Sequence, residues 1–294
     1  MNITNRERSR RHLLKLGGAT ALAATLGNGE ALATSTSPAR LFSTEVGTGR
    51  NLMFIHGWTC DSHDWSWQLP FFESRYRTLA VDLRGHGSSE PTSLETYTPA
   101  DYVSDVEALI ATQYPEQKFI LVGHSMGGQI AARLAAKRPD LVSAVVSVDG
   151  ALGFSGAPVE LFAKTTQDLH AGDPATVVPE LFRLVYDPST QPAFKRWHAR
   201  RAQGMPARVV RESFGPLFFG KGQVGAGEAS EKFCKGLAVP VYHLCRDPEQ
   251  ARRMRSWFSR PKSKVEVWTD AGHWIMQDRS DDVNKAIAAW IDAL

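Results

Sequence analysis

Phe119-Ile120-Leu121-Val122-Gly123-His124-Ser125-Met126-Gly127 is followed by the helix-favouring run Gly128–Arg138. A short apolar strand, a sharp turn and a helix therefore meet at Ser125. A serine hydroxyl is a poor nucleophile in ordinary surroundings. This turn would lift its oxygen above the end of a sheet, and the flanking glycines allow the strained backbone and the close approach of the helix. The backbone N–H of Met126 would then point into the same space. The segment predicts Ser125 as a nucleophile and a strand-to-helix unit of an α/β fold.

Outward from this turn, short β-branched runs alternate with longer helical stretches, the pattern of a mostly parallel sheet covered by helices on both faces. Strands are expected at Leu52–His56, Thr78–Asp82, Lys118–Gly123, Val142–Asp149, Val239–Cys245 and Val265–Trp268, with one more near Ala39–Val46. Val283, Ile287, Trp290 and Ile291 fall at helical spacing behind Ser280, the expected N-cap. From 150 to 237 the alternation breaks. Helical segments such as Thr176–Val185 and Gln191–Gln203 replace it, and a stretch of that length predicts a helical lid inserted into the 34–149 and 238–294 core.

The chain has 294 residues, 43% of them hydrophobic and 22% charged, which excludes a disordered or collagen-like molecule. Its formal charge of +3 is concentrated at the start. Arg6, Arg8, Arg10, Arg11 and Lys15 face only Glu7 and Glu30 there, and residues 34–294 hold 29 basic and 29 acidic side chains. Such a balance offers no basic footprint for nucleic acid or an anionic membrane. Ser9-Arg10-Arg11-His12-Leu13-Leu14-Lys15, the 14 uncharged residues Leu16 to Gly29, and Ala31-Leu32-Ala33 have the layout of an export signal. The run resembles a bacterial twin-arginine signal, which implies contact with the export machinery, a mature protein beginning near Thr34, and a periplasmic or secreted location. The uncharged run is too short for a membrane span. Cys60, Cys234 and Cys245 are widely spaced and lack a CxxC pair, so neither a disulfide scaffold nor a zinc site is expected.

Through most of the mature chain the sequence resembles the α/β-hydrolase superfamily. The resemblance rests on the Ser125 turn and three further segments. His56-Gly57-Trp58 ends an early strand, where the family places a second oxyanion-hole donor; this implies the backbone N–H of Trp58 beside that of Met126. Asp82-Leu83-Arg84-Gly85-His86-Gly87-Ser88-Ser89 resembles a structural turn at the sheet edge. Ala271-Gly272-His273-Trp274 resembles the segment that supplies the catalytic histidine.

An imidazole at His273 would deprotonate Ser125 and later protonate the leaving group. His12, His56, His63, His86, His124, His170, His198 and His243 read instead as leader, turn, surface or packing residues. A carboxylate must fix the tautomer of His273, and Asp247 is expected, since Ser125, Asp247, His273 is the family's chain order. Asp149, at the end of an earlier strand, is the alternative. Trp58, Asp61, His63, Asp64 and Trp65 are candidates for the pocket entrance, and Phe154, Phe162, Trp197, Phe214, Phe218 and Phe219 make the lid aromatic. The basic residues Lys195, Arg196, Arg200, Arg201, Arg208 and Arg211 read as a solvated face. Cys60, Asp61, His63 and Asp64 crowd one turn and are not expected to converge on a metal.

Together these features imply a cofactor-independent serine hydrolase acting on a small ester or lactone through an acyl-enzyme. Carbon–carbon bond hydrolysis and cofactor-free haloperoxidase or perhydrolase chemistry use the same triad and form the alternative; a receptor-like binding protein is a third reading. Epoxide hydrolases and haloalkane dehalogenases attack with aspartate, which the serine at position 125 disfavours. The composition leaves the oligomeric state open.

Overall fold

The computed structural model describes residues 38–89, 91 and 96–294. The leader expected over residues 1–33 lies outside them. The described residues form a seven-stranded sheet, β1 (Phe42–Val46), β2 (Asn51–Ile55), β3 (Arg77–Asp82), β4 (Phe119–His124), β5 (Val142–Val148), β6 (Val241–Cys245) and β7 (Lys264–Val267), in the order β1-β3-β2-β4-β5-β6-β7. Only β1 runs antiparallel, against β3; the other pairings are parallel. This is the mostly parallel α/β architecture that the resemblance implies.

The central strands read as unbroken apolar runs because helices cover both faces. Every residue of β4 is buried, and Leu52, Met53, Phe54 and Ile55 of β2 are fully inaccessible. At about 1.5–3 kcal/mol for each large side chain, such burial dominates the stability of the sheet. The first strand begins three residues later than expected, since the amide of Ala39 is taken by the Asp105 carboxylate at 2.6 Å. Strand β6 starts at Val241, just beyond Pro240, which has no N–H for a ladder.

Helices α1 (Leu69–Glu73), α2 (Pro99–Gln113) and α3 (Met126–Lys137) belong to the first part of the core. The start of α2 is written locally: Thr98 and Asp101 form a reciprocal capping box, with Pro99 in the first turn. Between β5 and β6 lie α4 (Ala157–Ala171), α5 (Pro174–Arg183), α6 (Pro192–Gly204), α7 (Ala207–Phe214) and α8 (Gly227–Lys235), which make up the helical insertion. Prolines in the first turns of α4, α5 and α6 punctuate it. Helices α9 (Pro248–Met254), α10 (Ile275–Asp278) and α11 (Ser280–Asp292) complete the chain. Ser280 is the first helical residue of α11 rather than its cap: α10 runs almost directly into it, and Arg279 fills the junction. No helix among the described residues is long and apolar enough to cross a membrane.

The insertion is tied to the core at several points. The indole of Trp58 donates to Ser213 Oγ at 3.0 Å, Thr190 Oγ1 donates to Asp278 Oδ2 at 2.8 Å, and His198 Nε2 lies 3.0 Å from Gln277 Oε1. Such bonds hold the helices as a fitted cap over the carboxyl ends of the strands.

Candidate active site

Ser125 stands between β4 and α3 with φ +52° and ψ −117°, a conformation that side chains rarely adopt. Crowding on both flanks shows why glycine is required there. A Cβ on Gly123 would come within 2.2 Å of the Gly127 carbonyl oxygen, and one on Gly127 within 2.2 Å of the Ile55 oxygen. Helix α3 is thereby pressed against β2 and β4, and its first residue, Met126, presents the amino-terminal end of the helix at Ser125. Gly57 lies on the other side, where a Cβ would meet Ser125 Cβ at 3.2 Å. The Gly57-Trp58 turn therefore abuts the serine.

His273 reaches the same place from the loop before α10. Its Nδ1 lies 2.6 Å from Asp149 Oδ2. A carboxylate can only accept, so the imidazole carries a hydrogen on Nδ1. Burial alone would raise the Asp149 pKa, but the Arg246 guanidinium and the bond from His273 outweigh it and hold the carboxyl well below its usual range. Asp149 is thus a buried anion beside an imidazole, the pairing that a serine mechanism requires.

Asp247, the acid expected from the sequence, is not brought to His273. Its carboxylate caps α9, accepting from the Glu249 amide at 2.8 Å. Asp247-Pro248-Glu249 is itself a helix-start signal, with the cap, proline in the first turn and an acidic residue behind it. Because β5 and β6 are paired, the end of β5 is adjacent to this turn, and Asp149 occupies the position facing the histidine loop. Asp149 takes φ +43° there, a second strained residue at the strand ends.

Arg246, which no motif singled out, joins the Asp149–His273 pair. Its Nε donates to Asp149 Oδ2 at 2.8 Å, the same oxygen that His273 engages. No separate sequence pattern marks it, since the pairing depends on the lateral neighbourhood of two strand ends.

Ser125, His124, Asp149, Arg246 and His273 line one cavity of about 80 Å³. The remaining wall is apolar: Trp58, Phe154, Phe162, Phe182, Phe214, Leu217, Phe218 and Trp274 contribute, with Ala151, Leu181 and Val185. The aromatic insertion residues therefore divide. Phe162 and Phe218 stack at 4.3 Å within the wall, whereas Trp197 packs toward Trp67 and Phe219 lies behind Phe218. Trp65 is a core residue against Phe54, and His63 is exposed.

His124, the last residue of β4, turns its ring to the histidine loop. Its Nε2–H donates to the His273 carbonyl at 2.9 Å, and burial, reinforced by the neighbouring His273, lowers its pKa to about 3. The ring is neutral and braces the histidine loop. Three other candidate rings are also occupied: His56 Nε2 accepts from the Leu83 amide, His198 stacks on Trp274 at 3.9 Å, and His243 Nδ1 lies 3.0 Å from Ser147 Oγ. The Asp82 turn is structural, as expected, with its carboxylate accepting from the amides of Ser62 and Ser88.

Among the described residues, ligand-type atoms of Cys60, Asp64 and His124 come within 4.8 Å of one another. Arg201 stands beside them, with Nη2 at 2.6 Å from Asp64 Oδ1, and the indole of Trp274 donates to Asp64 Oδ2 at 3.1 Å. A guanidinium already supplies the positive charge there, which makes the cluster a poor fit for a metal ion. Burial and the nearby Asp64 push the Cys60 thiol well up, so it is not a ready ligand. Arg201 also corrects the solvated-face reading of its segment, because its side chain is only 10% exposed. Cys60, Cys234 and Cys245 are buried free thiols.

The sequence matches the model of the alpha/beta hydrolase family over residues 52–286. It is 28% identical to 2-(acetamidomethylene)succinate hydrolase of Mesorhizobium japonicum, over 85% of this chain and 90% of that protein. It is 30% identical to the AB hydrolase superfamily protein YisY of Bacillus subtilis, over 84% of this chain and 94% of the relative. Among solved structures, a thermophilic esterase from Thermogutta terrifontis shares the fold with a TM-score of 0.75 at 22% identity, covering 88% of this chain and 96% of the esterase. The chain therefore belongs to the α/β hydrolase family and is an enzyme of that family.

Proposed function

We propose that the protein is a cofactor-independent serine hydrolase that cleaves a small ester or lactone, with Ser125 as nucleophile, His273 as base and Asp149 as the supporting acid. The observation that carries this reading is Ser125, held in a strained turn, lining one cavity with a histidine whose Nδ1 is bound to a buried carboxylate. Ser125 Oγ attacks the carbonyl carbon while His273 Nε2 takes its proton, and the amides of Trp58 and Met126 receive the oxyanion. The protonated imidazole returns that proton to the leaving alkoxide, and the acyl-enzyme forms. Water then attacks the acyl carbon, gives its proton to His273, and releases the acid as Ser125 recovers its hydrogen. The aromatic wall favours an apolar acyl group. Attack by carboxylate, as in epoxide opening, is disfavoured because position 125 carries a hydroxyl.

Incubation of the purified protein with a fluorophosphonate, followed by mapping of the adduct by mass spectrometry, tests the nucleophile. A series of nitrophenyl esters of increasing chain length, run in parallel, tests the reaction. Labelling at Ser125 with ester turnover is the expected result; a folded protein that resists labelling would move the reading to ligand binding. Labelling without ester turnover would favour the carbon–carbon or haloperoxidase chemistry of the same triad. The Arg10-Arg11 leader supports export to the periplasm or beyond, and fractionation of cells carrying the Arg10→Lys, Arg11→Lys double variant tests it, with retention in the cytoplasm expected.

A further inference from the structure

We propose that Arg246 is a positioning residue that locks the Asp149–His273 pair to the cap, so that the geometry of the base depends on a closed ring of four hydrogen bonds. This rests on the serine-hydrolase reading above. Two acceptors and two donor residues make the ring. Asp149 Oδ2 accepts from His273 Nδ1 at 2.6 Å and from Arg246 Nε at 2.8 Å. The carbonyl of Val185, in the segment joining α5 to α6, accepts from the His273 amide at 2.8 Å and, at a longer 3.4 Å, from Arg246 Nη1. Each acceptor takes one hydrogen from each donor, so acid, base and cap cannot shift independently.

The backbone explains how Arg246 can act as a brace. It sits in a two-residue turn between the end of β6 at Cys245 and the capped start of α9, where Asp247 and Pro248 fix the chain direction. Asp247 thereby has a structural role. The expected acid anchors the residue that holds the acid on the neighbouring strand.

The guanidinium is not a free anion receptor. Asp149 and Asp247 flank it, Asp278 of α10 and Asp187 of the cap lie close enough to interact with it, and its side chain is 30% exposed at the junction of the cavity and an outer cleft. Its positive charge is already exceeded by the carboxylates around it. Orientation of Asp149 is the use that remains, and the cation also opposes the charge that develops on His273. His124 faces the same imidazole from the elbow as a neutral ring.

The test compares Arg246→Met, Arg246→Gln and Arg246→Lys with the unmodified protein. The readouts are the rate of fluorophosphonate labelling, kcat and KM on a nitrophenyl ester across pH, and thermal unfolding. In Arg246→Met the labelling rate and kcat are expected to fall about 10- to 100-fold, the effect of a small misplacement of a catalytic group. KM should change less than kcat, because the brace acts on the base while the apolar wall that would hold the ester is kept. The acidic limb of the activity profile should move to higher pH, since the cation no longer opposes the protonated imidazole. Arg246→Lys keeps the charge, so its acidic limb should stay in place while only part of the rate returns. Arg246→Gln keeps a donor without the charge and should shift the limb as methionine does, so the lysine and glutamine forms carry the test if the methionine form does not fold. Equal labelling rates and superimposable pH profiles in folded variants would overturn the brace. Absence of labelling in the unmodified protein would instead overturn the serine-hydrolase reading itself.

Discussion

Asp149 Oδ2 lies 2.6 Å from His273 Nδ1, and this contact joins the ends of two segments 124 residues apart. It sets a carboxylate from the turn after β5 against the imidazole. If the triad operates as proposed, Asp149→Asn should reduce kcat by about 10³–10⁴-fold, because an amide stabilises the wrong tautomer of the imidazole. Asp247→Asn should leave kcat within about twofold, as asparagine caps a helix as well as aspartate does. Steady-state kinetics on one nitrophenyl ester would distinguish the two, and the reverse result would return the acid to Asp247.

Arg201 and Asp64 form an ion pair across the boundary between cap and core, with the carboxylate fully buried. Burial alone would raise the Asp64 pKa, but Arg201 outweighs it and holds the group well below its ordinary value. Arg201→Met should cost about 3–5 kcal/mol at neutral pH by leaving a buried charge without its partner. A depressed folded pKa gives stability that is present above the unfolded value, near 4, and is lost as pH falls through the folded one. The gap between variant and parent should therefore narrow below about pH 4. Urea unfolding at pH 7 and at lower pH would measure it.

Acid should destabilise the fold well before the carboxylates titrate. Burial lowers the pKa values of His86 and His124 to about 3 and those of His198 and His243 to about 4. The unfolded chain binds these protons near pH 6.5, whereas the native state refuses them until much lower. Stability is then complete above about pH 6.5 and falls as pH drops toward 4, by about 1.4 kcal/mol per pH unit for each such histidine. Denaturation midpoints between pH 7 and 4.5 would show the slope, and His243→Gln should make it shallower by about one proton.

Phe162 and Phe218 stack in the cavity wall. Phe218→Ala should shift preference toward longer acyl chains, raising the kcat/KM ratio of octanoate to butyrate ester by about tenfold, the scale on which a hydrophobic pocket discriminates. A chain-length series with no change in preference would place the acyl group elsewhere.

Much of the fold was legible because local chemistry repeats at short range. The β4 run, the glycines at 123 and 127, and the period of Val283, Ile287 and Trp290 each report their own element. The choice of acid was not legible in the same way. Asp247-Pro248-Glu249 did carry a helix-cap signal, which competed with the order Ser125, Asp247, His273 and prevailed in the structure. Arg201, placed by its neighbours among solvated cations, is largely withdrawn from solvent because Asp61 and Asp64 meet it from a turn 137 or more residues earlier in the chain.

The sequence by itself determined the order of strands and helices, the insertion after β5, and the turn that presents Ser125, because backbone sterics and hydrophobic period act over a few residues. Only the tertiary structure decided which carboxylate meets His273, which arginine holds it, and which aromatics face the cavity rather than the interior of the cap. Those choices depend on the pairing of β5 with β6 and on how the cap sits across the strand ends. Such contacts join residues far apart in the chain, and no local pattern encodes them.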